Sequence, residues 1–299
     1  IRLLALSIVA VVNGLVLAAM AFLVLVGWRG AVGDTNPDLP LWLPIGAAVV
    51  VIGLGVLSAS PWGEWFFRLF YPIRPLTKRE AAKLVPAMER VQAAYEAQHR
   101  RSLKANLFMI DDPMPQAMAL GFGTIAVTRG ALEIATDNEL AGVLAHESGH
   151  LHHRDSMVTS ALNSISLVQA VVAEVSKVGF IAFLLLGVVL MIYSTDLSWV
   201  LGLTIMVPIV LGVGRLLNHV VNGLVVFVLG LTDRSVEYRA DRFAGDLGLG
   251  PGLAGFLERL AGMEAMTAHG FLVMYMQSHP PTALRIDRLE AMQEVKAAA

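Results

Sequence analysis

The chain has 299 residues, of which 56% are hydrophobic and only 15% are charged. Soluble domains carry about 25% charged residues. The composition therefore argues against an ordinary soluble protein and indicates that part of the chain is in contact with lipid. The formal net charge of −2 leaves no basic surplus of the kind that nucleic-acid-binding proteins carry. The absence of cysteine excludes disulfides, thiol catalysis and thiolate metal sites, so any metal must be held by His, Asp or Glu.

Long apolar stretches predict four membrane-spanning helices, at residues 3–28, 41–60, 178–193 and 197–214. A spanning helix needs about 20 apolar residues, and the third stretch reaches that length only if it borrows residues from the segment before it. The first stretch could instead be a signal peptide, but it has no basic leader and no small-residue cleavage site. The given sequence begins at Ile1 rather than Met, so the natural N-terminus could lie further upstream.

The distribution of basic residues predicts the orientation of these spans, because basic loops stay in the cytoplasm. The loop at 28–40 carries one basic residue, Arg29, and the loop at 194–198 carries none. The segments after the second and fourth spans carry basic clusters: Arg68, Arg74, Lys78, Arg79, Arg234, Arg239 and Arg242. Both termini and all large polar regions are therefore predicted to be cytoplasmic, although a further apolar stretch at 216–231 leaves the number of spans open.

The polar middle of the chain begins with a helix signal. Thr77 and Glu80 form a capping box, which predicts a helix that runs to about Arg101 and leaves a bend at Pro86 open. Short β-prone runs separated by turn residues follow, at residues 106–110, 116–119 and 124–128. They predict a small sheet of three strands.

A second capping box, formed by Thr136 and Glu139, opens a helix that leads into the sequence His-Glu-Ser-Gly-His. On a helix, His146 and His150 lie one turn apart and can bind one metal ion. Glu147 then points beside the ion, where a base for a metal-activated water must be. The alternative is a chance match or a structural pair of histidines, and the helical context favours the metal site.

The surroundings of this motif predict that it lies in water. Polar residues flank it on both sides: Asp137, Asn138, Glu139, His152, His153, Arg154 and Asp155. Burying so many polar groups in hydrocarbon would be too costly. The site is therefore expected at the cytoplasmic face of the membrane rather than within it.

A catalytic zinc site needs three protein ligands and one open position, so a third ligand must lie elsewhere. Glu237 and Asp241 are four residues apart on a predicted helix and share a face, so Glu237 could bind the metal while Asp241 accepts a hydrogen bond from a ligating histidine. They could equally form an exposed acidic face paired with Arg234 or Arg239. His153 is the other candidate ligand, although a solvated or supporting role suits it better.

His279 is a further candidate for a functional role. It stands in a loop between Ser278 and the pair Pro280-Pro281. It could be an ordinary loop histidine, or it could donate a hydrogen bond to the oxyanion of a tetrahedral intermediate. The residues alone leave both possibilities open.

The combined pattern resembles the HtpX-type membrane zinc metalloproteases and their relatives, the endoproteases of prenylated proteins. The matching elements cover nearly the whole chain. They are His146-Glu147-x-x-His150 followed by Arg154-Asp155, Glu237-x-x-Ala240-Asp241, and Ser278-His279-Pro280-Pro281-Thr282 with Arg285-Ile286. Pairs of hydrophobic stretches lie before the first of these motifs and between the first and the second. Together they are far more specific than the His-Glu motif alone.

The resemblance implies a zincin-like catalytic domain with one Zn²⁺ per chain and an endopeptidase activity. It implies that Glu237 joins His146 and His150 as a ligand, that Glu147 is the base, and that His279 lies near the zinc. Residues expected to support the ligands or their loop are Asp241, Asp155 and Arg285. It also implies a cytoplasm-facing protease that acts on membrane proteins in quality control and stress response, in a bacterial inner membrane.

The predicted strand at 116–119 is expected to bind substrate. An edge strand can pair with an extended peptide through its backbone, here through Gln116, Ala117, Met118 and Ala119. The HtpX-type proteases commonly have an Asn-Ala-rich strand where this chain has Pro115-Gln116. Gln116 keeps an amide at this place, but its greater length puts a direct catalytic role in doubt.

The overall prediction is a mostly α-helical α+β integral membrane protein with four spans. Its predicted parts are a transmembrane hairpin at 1–60, half of the catalytic domain at 61–177, a second hairpin at 178–215 and the other half of the catalytic domain at 216–299. If Glu237 and the two histidines bind one ion, an even number of crossings separates them. The stretch at 216–231 is then no full crossing.

Two other functions are compatible with parts of the sequence. A transporter or channel could use the polar residues Glu174, Lys177, Arg215 and His219, but these lie at predicted ends of spans rather than at the midplane. A catalytically silent scaffold or chaperone could keep zinc for folding, but it would have no use for Glu147. The expected partners are unfolded or membrane-protein substrates and the lipid bilayer, with no nucleic acid.

Overall fold

The computed structural model describes residues 72–157, 234–266 and 281–298, together with isolated positions between 42 and 68 and between 174 and 223. The chain divides into two compact units, residues 1–57 with 161–229 and residues 58–160 with 230–299. The four predicted spans and the stretch at 216–231 fall outside the continuous ranges and stay predictions. Among the residues that the structure describes, no helix is both long enough and apolar enough to cross a membrane.

The second unit is mostly helical with one small sheet. Its elements in chain order are β1 (Ile73–Arg74), α1 (Lys78–His99), β2 (Asn106–Ile110), β3 (Ala117–Leu120), β4 (Thr124–Thr128), α2 (Arg129–Ile134), α3 (Asp137–His152), α4 (residues 234–246), α5 (Gly250–Met266) and α6 (Thr282–Ala298). The sequence therefore predicted the kinds of element in this unit correctly.

The sheet has the strand order β1-β2-β4-β3. Strands β2 and β4 are parallel, with Asn106 opposite Thr124, whereas β3 and β4 are antiparallel. The prediction of three strands was wrong, because the two-residue strand β1 pairs with the end of β2 and is too short to show a pattern in the sequence. The predicted strand at 116–119 is shifted by one residue, and β3 lies at the edge of the sheet.

Both predicted capping boxes are confirmed. The Thr77 backbone N–H donates to Glu80 Oε2 at 2.7 Å, and the Thr136 N–H donates to Glu139 Oε2 at 2.7 Å. Helix α1 continues through Pro86 and ends where Arg100 adopts a left-handed conformation with φ of 53°. These local signals are sufficient to begin α1 and α3 at the residues that the sequence predicted.

Helix α3 lies in the middle of the core. Its residues from Leu140 to Gly149 are all buried, and it packs against α1, α5 and β3. Fully buried apolar side chains of α1 and the sheet complete this core: Leu84, Val91, Met109, Ile125 and Val127. Each large apolar side chain buried here stabilises the fold by about 1.5–3 kcal/mol. The helix that carries the His-Glu motif is therefore held rigidly.

Glu64 ties the turn between β3 and β4 to the segment before β1. Its buried carboxylate accepts hydrogen bonds from the Phe122 N–H at 2.7 Å and the Gly123 N–H at 3.2 Å. It also accepts from the Thr124 hydroxyl and from Arg68, the latter at 2.6 Å. No local sequence pattern indicates this contact, since nearly 60 residues separate its partners.

Helices α3 and α5 approach so closely that only glycine fits at their crossing. A Cβ atom on Gly142 would lie 2.1 Å from the Leu253 backbone nitrogen, and a Cβ atom on Gly252 would lie 2.1 Å from the Asn138 carbonyl oxygen. The atoms that each Cβ would meet belong to the backbone, which cannot move aside as a flexible side chain can. The crossing therefore fixes how α3 sits in the core.

Replacing Gly142 by Ala is expected to destabilise the protein by about 3 kcal/mol or more, because the helices must separate and the core around them must repack. The measurement is thermal unfolding of the purified protein. The control is Gly262→Ala in the partner helix α5, where a Cβ atom would meet nothing within 4 Å. That variant should gain up to about 1 kcal/mol from helix propensity. Equal melting temperatures of the two variants would contradict the prediction.

Candidate metal centre

Helices α3 and α4 bring three potential metal ligands together. The Nε2 atoms of His146 and His150 are 3.2 Å apart, and each lies 3.5 Å from a carboxylate oxygen of Glu237. Ligand atoms of a tetrahedral zinc with bonds of about 2.0–2.1 Å are separated by roughly 3.3–3.4 Å. The two histidines contact different oxygens of Glu237, and one ligand atom from each of the three residues lies within 4.8 Å of the others, so these residues could hold one metal ion.

The electrostatics of the site also favour a cation. His146 is buried between Asp241 and Glu237. Burial opposes a charge on its ring, but the hydrogen bond to Asp241 and the contact with Glu237 outweigh burial and raise the pKa of His146 to about 10. The carboxylates thus stabilise positive charge at the position where a metal ion would bind. Two imidazoles and a carboxylate are also a donor set that zinc accepts.

Asp241 orients the first histidine. His146 Nδ1 lies 2.9 Å from Asp241 Oδ1, and Arg285 donates to both oxygens of Asp241, at 2.9 and 2.7 Å. Burial raises the pKa of Asp241, but the hydrogen bonds from His146 and Arg285 more than offset this and lower it. An ionised carboxylate can only accept, so Nδ1 carries the proton and Nε2 is left for the metal.

Arg285 lies deeper in the site than a loop anchor would. It is buried, and its Nη1 atom is 3.5 Å from Glu237 Oε2. One guanidinium therefore contacts the carboxylate of the potential ligand and that of Asp241. These contacts fit support of the ligands, one of the two roles that the sequence suggested for Arg285, and that role stays a prediction.

His150 has a looser partner. Its Nδ1 atom is 3.9 Å from Asp155 Oδ2, and Arg239 donates to Asp155 Oδ1 at 2.6 Å. Burial raises the pKa of Asp155, but His150 and Arg239 outweigh it and lower that pKa. The role of Arg239 was missed, because its partner is far away in sequence and no local pattern marks the pair.

Gly149 allows the two helices of the site to meet. A Cβ atom at Gly149 would lie 3.1 Å from the Ala240 Cα atom and 3.2 Å from the Phe243 Cβ atom. This approach brings the face of α4 that carries Glu237 close to α3. The close approach of α3 and α4 therefore explains why small residues, Gly149 and Ala240, stand at these two positions.

The remaining candidates are placed as follows. Glu147 is buried on α3 next to His146, and Glu237 and Asp241 are buried too, so an exposed acidic face is ruled out. His153 Nδ1 is 2.8 Å from the Gly149 carbonyl oxygen, and among the described residues the group of potential ligands comprises His146, His150 and Glu237 without His153. His279 and its neighbours from 267 to 280 lie outside the described residues.

The predicted substrate strand is only partly free. The Gln116 N–H donates to the Thr128 hydroxyl at 2.8 Å, and its carbonyl accepts from the Thr128 N–H at 2.9 Å. Ala117, Met118 and Ala119 are half-buried in β3, which pairs with β4 on one side. Within the described part of the chain no strand pairs with its other side.

Replacing Asp241 by Asn is expected to weaken metal binding about 10–100-fold, because the amide cannot hold the His146 N–H as a carboxylate does and leaves Arg285 without its charge partner. The measurement is competition for the metal with a chromophoric chelator. Asp246→Asn is the control, since Asp246 lies at the exposed end of the same helix beside Lys296. Equal affinities of the two variants would exclude this role for Asp241.

A helix that presents two histidines with a glutamate between them, joined by a glutamate from a second helix, defines the class of H-E-x-x-H metallopeptidases. Sequence comparison agrees with this geometry. Residues 78–293 match Peptidase family M48, and the chain belongs to this family of metallopeptidases. The resemblance to HtpX-type proteases is thereby confirmed at the level of the family.

Similar proteins carry related names. A "Protease HtpX homolog" from Campylobacter concisus is 34% identical over 130 residues, which cover 40% of this chain and 44% of that protein. Another, from Syntrophobacter fumaroxidans, is 26% identical over 307 residues, which cover 93% of this chain and 97% of that protein. The crystal structure of S. mikatae Ste24p matches with 19% identity and a TM-score of 0.48, over 88% of this chain and 64% of that one. The match thus spans less than half of the Campylobacter protein.

Proposed function

We propose that the protein is a zinc-dependent endopeptidase that hydrolyses misfolded or damaged membrane proteins at the cytoplasmic face of a bacterial inner membrane. The observation that carries the proposal is the grouping of His146, His150 and Glu237, which could hold one metal ion, beside the buried Glu147. The name shared by the similar proteins supports proteolysis as the reaction.

The proposed mechanism assigns each residue one task. His146, His150 and Glu237 would hold the zinc, which when bound acidifies a water molecule and polarises the substrate carbonyl. Glu147 accepts the proton of the attacking water and then delivers it to the leaving amine. Asp241 keeps the Nδ1 atom of His146 protonated, so that its Nε2 atom faces the ion, and the negative charge of Asp155 near His150 favours the same form of that ring.

The edge of β3 is the proposed substrate-binding strand. An extended peptide that adds to this edge would be held mainly through backbone hydrogen bonds, which read few side chains. The small side chains of Ala117 and Ala119 and the flexible Met118 impose little shape on a bound peptide. Broad specificity, as a quality-control protease needs, follows from this arrangement.

Membrane location is supported by the apolar stretches and by the exposure of their described residues. Large apolar side chains at helical spacing are 57–72% exposed: Val178, Ile181, Leu185, Val188 and Ile192. Such a face is costly in water and suits lipid. Topology reporters at Gly33, Thr195 and the C-terminus should report outside, outside and inside.

The deciding experiment is cleavage of casein and of an unfolded membrane protein by the purified full chain. We expect cleavage that a chelator abolishes and that added Zn²⁺ restores. Metal-loaded protein that cleaves neither substrate would contradict the endopeptidase and favour a scaffold. Activity that survives complete removal of the metal would contradict the role of zinc.

His279 is proposed to donate to the oxyanion that forms on the substrate. His279→Ala should lower kcat about 10²–10³-fold and leave metal content and KM nearly unchanged, because this bond is made mainly in the transition state. His269→Ala is a matched control, since nothing in the sequence indicates a site there. Loss of the metal in the His279 variant would show a ligand role instead, and a normal rate would show an ordinary loop residue.

A further inference from the structure

We propose that a cavity between α4 and α6 binds a phosphate group, carried by an anionic phospholipid; the lipid source rests on the membrane location proposed above. The cavity has a volume of about 680 Å³. Polar residues that line it are Ser235, Tyr238, Arg239, Asp241, Arg242 and Arg288. It shares Asp241 with the metal centre, and its arginines Arg242 and Arg288 have no part in the proposed mechanism.

The charges around this cavity do not cancel. Asp241 is paired with Arg285, and Arg239 is paired with Asp155. Arg242 and Arg288 are exposed, and among the described residues no carboxylate lies within ion-pair distance of either. The cavity therefore carries a surplus of two positive charges, which favours an anion as its ligand.

Arg288 is held in a form suited to phosphate. Its guanidinium carbon lies 3.6 Å from the centre of the Tyr238 ring, so the planar group stacks on an aromatic face. Stacking occupies the faces of a guanidinium and leaves its N–H groups, which lie in the plane, able to donate. Two parallel N–H donors match two oxygens of a phosphate. Arg242 and the hydroxyl-bearing residues Ser235 and Tyr238 line the same space.

The position of the cavity along the chain points to a lipid as the source of the phosphate. The described part of α4 begins at Arg234, only a few residues after the apolar stretch at 216–231. Basic residues that follow closely on an apolar stretch held at a membrane surface attract anionic lipid headgroups. The half-buried Met292 of α6 forms another part of the wall and can contact the apolar part of a lipid, whereas Leu289 behind it belongs to the core.

The experiment compares two double variants of the full chain in detergent. Arg242→Gln with Arg288→Gln removes the two unpaired charges of the cavity. Arg100→Gln with Arg129→Gln removes two exposed charges elsewhere and gives the same change in net charge. Retention of phosphatidylglycerol is measured by native mass spectrometry, with phosphatidylcholine and inorganic phosphate as separate arms. Melting temperatures and chelator-sensitive casein cleavage check that each variant is folded.

We expect the cavity variant to bind phosphatidylglycerol at least about tenfold more weakly than the wild type. The two substitutions remove charge-assisted hydrogen bonds to phosphate, which are stronger than hydrogen bonds between neutral groups. The control variant should bind normally, and phosphatidylcholine should bind weakly to all three proteins. If inorganic phosphate binds alone and depends on the same two arginines, the cavity is a phosphate site and the lipid source is overturned.

Equal retention of phosphatidylglycerol by the two double variants would overturn the proposal, because the binding would then reflect net charge alone. The test does not depend on proteolysis. If no variant and no wild-type protein cleaves casein, the proposed enzymatic function fails while the lipid-binding result still stands.

Discussion

Replacing Glu147 by Gln is expected to abolish peptide hydrolysis while the metal stays bound. The variant keeps the shape of the side chain and all three proposed ligands, but the amide cannot accept a proton from water. Loss of a general base typically costs about 10²–10⁴-fold in rate. Since Glu147 would serve the attack on the carbonyl and the departure of the amine, we expect the upper part of this range.

The measurement combines the rate of casein cleavage with the metal content of the same sample. Glu258→Gln, an exposed position on α5, is the matched control and should cleave normally. A Glu147 variant with nearly normal turnover would show that another group acts as the base. A variant that loses the metal would show that Glu147 holds the site together rather than moving a proton.

Replacing Glu237 by Ala is expected to empty the metal centre and to remove activity with it. Two imidazoles remain, and Arg285 then lies near them without one of its carboxylate partners, which adds repulsion between the guanidinium and the ion. The loss of affinity should exceed the roughly 10–100-fold that removal of an outer hydrogen-bond partner causes. Glu237→Gln keeps an oxygen donor without its charge and should fall between the wild type and the alanine variant.

The measurement is the metal content of the wild type and the two Glu237 variants after equilibration at a fixed concentration of free Zn²⁺. Wild-type occupancy in Glu237→Ala would mean that the third ligand lies elsewhere. His153 would be the first residue to examine, although it would have to leave the Gly149 carbonyl oxygen, which lies 2.8 Å from its Nδ1 atom. Intermediate binding by the glutamine variant alone would support a direct bond from the carboxylate.

Some of this molecule could be predicted from short segments of its sequence. The capping boxes at Thr77 and Thr136 act within a single turn, so they begin a helix whatever the rest of the chain does. The four-residue spacing of His146 and His150 needs only helical geometry to bring both rings to one ion. These predictions depend on interactions between near neighbours, and in the structure both helices begin where predicted and the two imidazole rings lie close together.

Other parts of the site depend on contacts between distant segments. Arg285 reaches Asp241 from another helix, Arg239 reaches Asp155 across 84 residues, and Glu64 reaches the turn at Phe122 across 58 residues. A lone arginine or glutamate has the same appearance in a sequence whether it is solvated or buried in a pair. Only the packing of α3, α4 and α6 distinguishes these cases, and packing has no short pattern.

The guanidinium of Arg285 comes from α6, the last described helix, and this has a consequence for the order of events during synthesis. A growing chain contains both histidines, Glu237 and Asp241 before α6 has been translated. Two carboxylates cannot be buried side by side at low cost without their countercharge. We therefore expect the ligand set to close only when α6 docks, so that a growing chain that still lacks α6 is unable to cut its neighbours.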